Sequence, residues 1–122
     1  MVALVGAIVL VVVLGGDDAP AEPKFAGSTV AVSLAEYSIT GNLQVPTGPI
    51  RIDAANVGGL QHNIGVRGVK ISRNLARGES TILDLGTLAP GSYELYCDVV
   101  DSADNVSHVA KGMTATLVVT AD

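Results

Sequence analysis

The sequence predicts an all-β protein, a Greek-key β-sandwich or barrel of seven to eight short strands. Apolar residues alternate with polar ones at a period of two in several short stretches. Turn signals built from Gly, Pro and Asn separate these stretches, so candidate strands recur every 8–12 residues or so. No segment holds an apolar stripe at the helical period of 3.6 for more than about two turns. Abundant valine, threonine, isoleucine and glycine, with few aromatics and no tryptophan, suit short strands joined by tight turns.

The elements follow in order from residue 28. Val30, Val32 and Leu34 alternate with small or polar neighbours, and Tyr37 to Thr40 continues that edge after a break. Leu43 to Val45 is closed by Pro46-Thr47-Gly48, a turn sequence. Ile50, Ile52 and Ala54 alternate again and end at Asn56-Val57-Gly58-Gly59. His62 to Val66 and Val69 to Ile71 are short strand candidates, and Thr81 to Leu85 alternates weakly. Ala89-Pro90-Gly91 is a turn, after which Tyr93, Leu95 and Cys97 share one face of a strand. Leu88 to Tyr93 has the form of a tyrosine corner, in which the hydroxyl bonds back to nearby backbone. Thr114 to Thr120, rich in threonine and valine, is the last strand.

The chain of 122 residues is long enough for one modest core. Val2 to Leu14 is an apolar run of thirteen residues. That is short of the roughly 20 needed to span a bilayer and fits the hydrophobic region of a signal peptide. Residues 1–14 are therefore expected to be a signal peptide or membrane anchor, 15–27 a flexible linker, and 28–122 the folded domain. The expected location is outside the cytoplasm, periplasmic or extracellular, either secreted or tethered to the membrane through residues 1–14. A net charge of −5 makes nucleic acid and anionic membrane surfaces poor partners and a basic protein a better one. One cysteine excludes an intramolecular disulfide, and an unpaired thiol in an exported chain calls for metal ligation or reactivity.

Cys97 lies between the only two histidines, His62 and His108, and Met113 follows five residues after the second. Two imidazoles, a thiolate and a thioether are the donor set of a mononuclear electron-transfer copper site. Thiolate and thioether favour Cu(I), imidazole serves both oxidation states, and a long axial bond to methionine tunes the potential. Zinc accepts thiolate and imidazole, but a thioether is a poor ligand for it and structural zinc sites use closer-spaced pairs. Taken singly, each donor is more often a core or surface residue than a ligand. Together they use the entire histidine and cysteine supply of the chain in the order that a copper site requires.

Residues 28–120 resemble the cupredoxins, small blue-copper electron carriers of the plastocyanin and azurin kind. The stretches that carry the resemblance are Val32 to Ile39, Gln61-His62-Asn63-Ile64, Leu88 to Asp98 and His108-Val109-Ala110-Lys111-Gly112-Met113. The resemblance implies that His62, Cys97, His108 and Met113 hold one copper ion cycling between Cu(I) and Cu(II). It further implies that Asn63 ties the two ligand loops together and supports the sulfur through hydrogen bonds. It implies that an edge of His108 protrudes through an apolar patch, to which Leu60, Val106, Val109 and Ala110 could contribute. One departure is plain. Ten residues, Asp98 to Ser107, separate the cysteine from the second histidine, where the family commonly has a few. Doubling a flexible loop costs only about 0.6 kcal/mol, so the ligands can still converge.

The expected function is one-electron transfer between redox proteins, with a cytochrome or an oxidase as partner and the carrier itself a monomer. The alternative is a copper-binding protein for storage, delivery or tolerance. An enzyme with a second copper would need further histidines, so no catalysis is expected of this chain alone. Asp98, Asp101 and Asp104 are expected to form a solvated acidic loop. One of them approaching the metal, or the three forming a docking surface, ranks below that reading. Glu36 and Tyr37 are expected to serve strand packing and solubility.

Overall fold

The structure, a computed structural model, describes residues 25–122. The expected signal or anchor, residues 1–14, and most of the expected linker lie outside the described residues. At the linker's end, Phe25 lies beneath the Arg51 guanidinium, 4.5 Å from the ring centroid.

Nine strands lie among the described residues: β1 Ser28–Ala35, β2 Ser38–Gly41, β3 Gln44–Pro46, β4 Gly48–Asn56, β5 Gly65–Val66, β6 Lys70–Ile71, β7 Ser80–Leu88, β8 Gly91–Tyr96 and β9 Thr114–Thr120. Two of the nine are only two residues long, so the all-β expectation of seven to eight strands holds in substance. Both period-two stretches, in β1 and β4, put alternate residues inside. Val30, Val32 and Leu34 of β1 lie beside Ile50, Ile52 and Ala54 of its parallel neighbour β4, all turned into one interior. A one-residue slip would expose either set, which makes the register well determined.

The strands form two sheets. One has the order β2-β1-β4-β7 and the other β3-β9-β8-β5-β6. Successive strands cross between the sheets at β2–β3, β3–β4, β4–β5, β6–β7 and β7–β8. Parallel pairing of β1 with β4 and of β3 with β9 is the result. The inner faces meet in a core that includes Leu34, Ile50, Ile52, Ile64, Leu95 and Leu117, all fully buried. The tyrosine corner is present: the Tyr93 hydroxyl donates to the Ala89 carbonyl at 2.6 Å.

The crossings also place the loops. The connection leaving β4, the end of β8 and the β8–β9 connection converge at one pole of the sandwich. The strand expected from His62 to Val66 is shorter than its pattern predicts. His62 forms an isolated bridge with Leu75 instead, with N–H···O distances of 3.1 and 2.7 Å in the two directions. Pairing resumes only at Gly65.

Candidate metal centre

Cys97 is the first residue beyond β8, and its N–H donates to the Met113 carbonyl at 3.2 Å, just before β9. The β8–β9 pairing therefore carries the thiol and the methionine to the same pole. His108 is pinned by its N–H to the Val99 carbonyl at 2.8 Å. From His108 the chain turns tightly, with the N–H groups of Lys111 and Met113 both reaching the His108 carbonyl at 3.0 Å. Gly112 makes that turn at φ 96°, a conformation L side chains rarely adopt. His62 arrives from the other direction, held by its bridge to Leu75. Buried Asn56 organises the approach, since its amide donates to the Leu60 and Leu75 carbonyls at 2.8 and 2.9 Å.

These constraints bring the donors together. Nδ1 of His62 stands 3.1 Å from Nδ1 of His108, and Sγ of Cys97 lies 3.9 and 3.5 Å from them respectively. The centre of that triangle is about 2.0 Å from all three atoms, close to the bond lengths of roughly 2.0 and 2.3 Å that imidazole nitrogen and thiolate form with such metals. His62, Cys97, His108 and Met113 are all fully buried.

The far nitrogens of both rings meet carboxylates. His62 Nε2 is 2.6 Å from Glu36 Oε1, and His108 Nε2 is 2.7 Å from Asp101 Oδ1. An ionised carboxylate only accepts, so each Nε2 carries the hydrogen and each Nδ1 is left as a lone pair. Two lone pairs then face each other across 3.1 Å beside a sulfur. Neutral groups gain nothing from that arrangement, whereas a cation at the centre satisfies all three. The residues thus fit a metal, and a buried His₂Cys triangle fits a single copper ion.

The neighbouring groups are well anchored. Asn63 donates its backbone N–H to Cys97 Sγ at 3.3 Å, and its side chain bridges Asn74 and Asp98. Burial pushes the Cys97 thiol up, while the Asn63 N–H acts in the opposite direction. Glu36 accepts from the backbone N–H of Gly59 and Leu60 at 3.0 to 3.2 Å as well as from His62. The Gly59 N–H above all, then His62, holds its carboxyl below the usual range. A Cβ on Gly58 would come within 2.2 Å of Glu36 Oε1, so glycine is what lets the carboxylate lie there. Asp101 is held by Lys111 at 2.6 Å, by His108 and by the Tyr37 hydroxyl at 3.2 Å. Lys111 first and His108 second lower its pKa to about 2. The Tyr37 ring stands edge-on to His108, centroids 5.0 Å apart.

Three expectations need correction. His108 has no edge at the surface, because Asp101 and Tyr37 cover it and it is fully buried. Of the residues expected to frame such an edge, Leu60 and Val106 are exposed but surround no protruding imidazole. Asp101 is not a solvated acidic residue: its side chain is only 12% exposed and tethers a histidine. It approaches the site at the ring's far nitrogen and not as an oxygen donor to the centre. Glu36 and Tyr37, expected to aid packing and solubility, contact the two imidazoles. The signal for both was present in Glu36-Tyr37, which lies within a stretch of family resemblance, but nothing local says that a turn residue reaches a histidine 26 positions away.

A model of the family described as "Cupredoxin-like domain" matches residues 4–119. No curated protein sequence matches the chain. Among solved structures, dithionite-reduced auracyanin from the photosynthetic bacterium Roseiflexus castenholzii is similar, with a TM-score of 0.59 and 21% identity over 80% of this chain and 99% of that one. Auracyanin B aligns with a TM-score of 0.61 and 20% identity, over 81% and 93% of the two chains. A purple cupredoxin from Nitrosopumilus maritimus gives 0.50 and 18%, over 76% and 99%. At these identities the structural likeness concerns the fold.

Proposed function

The chain belongs to the cupredoxin-like family, and from that membership and the donor triangle we propose that it is an exported one-electron carrier with a single copper ion. His62 Nδ1, His108 Nδ1 and Cys97 Sγ would hold the ion, with Met113 as the weak axial ligand and Asn63 supporting the sulfur. Copper supplies a one-electron couple when bound. The protein's part is to keep the donors still. Each ring is held at its far nitrogen by a carboxylate, Cys97 is fixed by the Asn63 N–H and its own N–H to Met113, and both sheets anchor the loops. A site that barely rearranges between oxidation states loses little energy at each transfer.

The observation that carries this reading is the triangle with its two facing lone pairs. Burial of all four donors supports a carrier over a copper-delivery protein, since a chelator or acceptor protein has no exposed donor to begin exchange. The chain's two histidines are both used by one centre, leaving none for a second copper. The partner would be a redox protein, such as a cytochrome or an oxidase, engaged weakly by a monomer tethered or released outside the cytoplasm. Brief docking suits a carrier that must release its partner quickly.

Titration of the purified chain with Cu(II) tests the proposal. One equivalent should produce intense thiolate-to-copper absorption in the visible, reversibly bleached by a one-electron reductant. Cys97→Ser should remove the band. A wild-type protein that stays colourless and retains no copper would overturn the reading.

A further inference from the structure

We infer that Glu36 and Asp101 are positioning residues of the copper centre: each holds the far nitrogen of one ligand imidazole, and their charge lowers the reduction potential. The inference deepens the proposed function and rests on it.

The two contacts are alike in chemistry and unlike in origin. Glu36 sits in the turn between β1 and β2 and meets His62, while Asp101 lies in the long connection after β8 and meets His108. Both carboxylates are themselves restrained by further donors. Glu36 takes the Gly59 and Leu60 N–H groups, and Asp101 takes Lys111 and the Tyr37 hydroxyl. A carboxylate fixed by several donors holds a ring orientation; one free to rotate would not. Carboxylate-to-imidazole contacts of this kind orient metal-binding histidines and raise their basicity.

The same geometry accounts for the ten residues between Cys97 and His108. They fold back on themselves through a Val100–Ser107 bridge, with the Asp101 N–H on the Val106 carbonyl at 3.0 Å and the Asn105 N–H on the Asp101 carbonyl at 2.8 Å. That excursion places Asp101 over the outer edge of His108. A shorter connection would leave the ring to solvent. The extra length therefore has a use at the centre: it supplies a carboxylate and closes the imidazole from water.

The electrostatic consequence has a definite sign. A negative charge beside each ligand stabilises the dipositive ion more than the monopositive one, and water screens the mostly buried Asp101 less than the more exposed Glu36. More basic imidazoles act in the same direction. Removing either charge should therefore raise the potential.

The test uses the copper-loaded full chain with Glu36→Gln, Asp101→Asn and the double variant, each of which keeps an oxygen acceptor near the ring. Protein-film or solution voltammetry should show a higher potential in each single variant and the largest rise in the double one. Competition with a chelator should show copper affinity weakened by about 10- to 100-fold. Gly58→Ala offers a backbone route to the same result, because its Cβ displaces the Glu36 carboxylate without altering any charge. In the Cu(I)-loaded wild type, histidine ¹⁵N spectra should show both rings protonated at Nε2. Unchanged potentials in coloured single and double variants would overturn the inference while leaving the carrier reading intact. So would a ring found protonated at Nδ1. A wild type that binds no copper overturns both.

Discussion

Asn63 and Asp98 hold each other twice: the Asn63 side-chain oxygen accepts the Asp98 N–H at 3.0 Å, and its amide donates to the Asp98 carboxylate at 2.7 Å. The residues are neighbours of His62 and Cys97, so this pair clamps the two ligand segments together beside the β5–β8 pairing of one sheet. Asn63→Ala should cost about 1–3 kcal/mol in the metal-free protein, since it strips a charge-assisted bond and leaves the part-buried Asp98 N–H without its partner. Copper should also exchange faster. Urea denaturation and chelator-exchange rates measure the two effects, and a loss below about 0.5 kcal/mol would contradict the clamp.

Met113 is fully buried where the tight turn from His108 meets β9. Met113→Leu keeps its volume, so the metal-free domain should lose less than about 1.5 kcal/mol. The reduction potential should nevertheless rise, because the thioether donor to the oxidised ion is gone. Voltammetry alongside thermal unfolding separates the two. An unchanged potential would remove Met113 from the ligand set.

Lys111 pairs with both Asp101 and Asp104, at 2.6 and 2.7 Å. It is the main reason that the Asp101 pKa falls to about 2 in the folded protein. An unfolded aspartate titrates near 3.9 or so, so the folded state binds fewer protons between these values. Stability from this group is complete above about pH 4 and drains away as the pH falls toward 2. Lys111→Met should flatten the acid limb of the stability curve in that window. Measured on the metal-free protein by denaturant unfolding at stepped pH, an identical limb in wild type and variant would refute the assignment.

The Tyr93 hydroxyl closes the turn between β7 and β8 through the Ala89 carbonyl. Tyr93→Phe removes one hydrogen bond that water can partly replace. A loss of about 0.5–1.5 kcal/mol is expected, with copper absorption unaltered because the corner contributes no ligand. A spectral change would mean that the corner is coupled to the metal centre.

The parts of the fold readable from the chain are those with a short-range signature. Val30, Val32 and Leu34, and Ile50, Ile52 and Ala54, announce inward faces by alternation, and each set is buried in the sandwich. The donors were readable because His62, Cys97, His108 and Met113 are rare residue types set in local motifs. The pattern from His62 predicts a longer strand than forms, since alternation does not reveal that Leu75 takes the pairing. Leu75 itself is fully buried yet stands among polar residues with no periodic pattern to mark it.

What escaped the chain was how the polar residues are spent. By composition Asp101 looks like any acid in a hydrophilic loop, and Glu36 like any residue of a turn. Their partners lie 7 and 26 positions away, and the tyrosine that braces Asp101 is 64 positions distant. Sequence alone determined the strand pattern and the chemistry of the donors, because alternation and residue type are properties of the chain itself. Only the tertiary structure decided that two carboxylates would sit behind the two imidazoles and seal them from water, because a hydrogen bond between remote side chains depends on where the sheets bring the loops and leaves no periodic trace along the polymer.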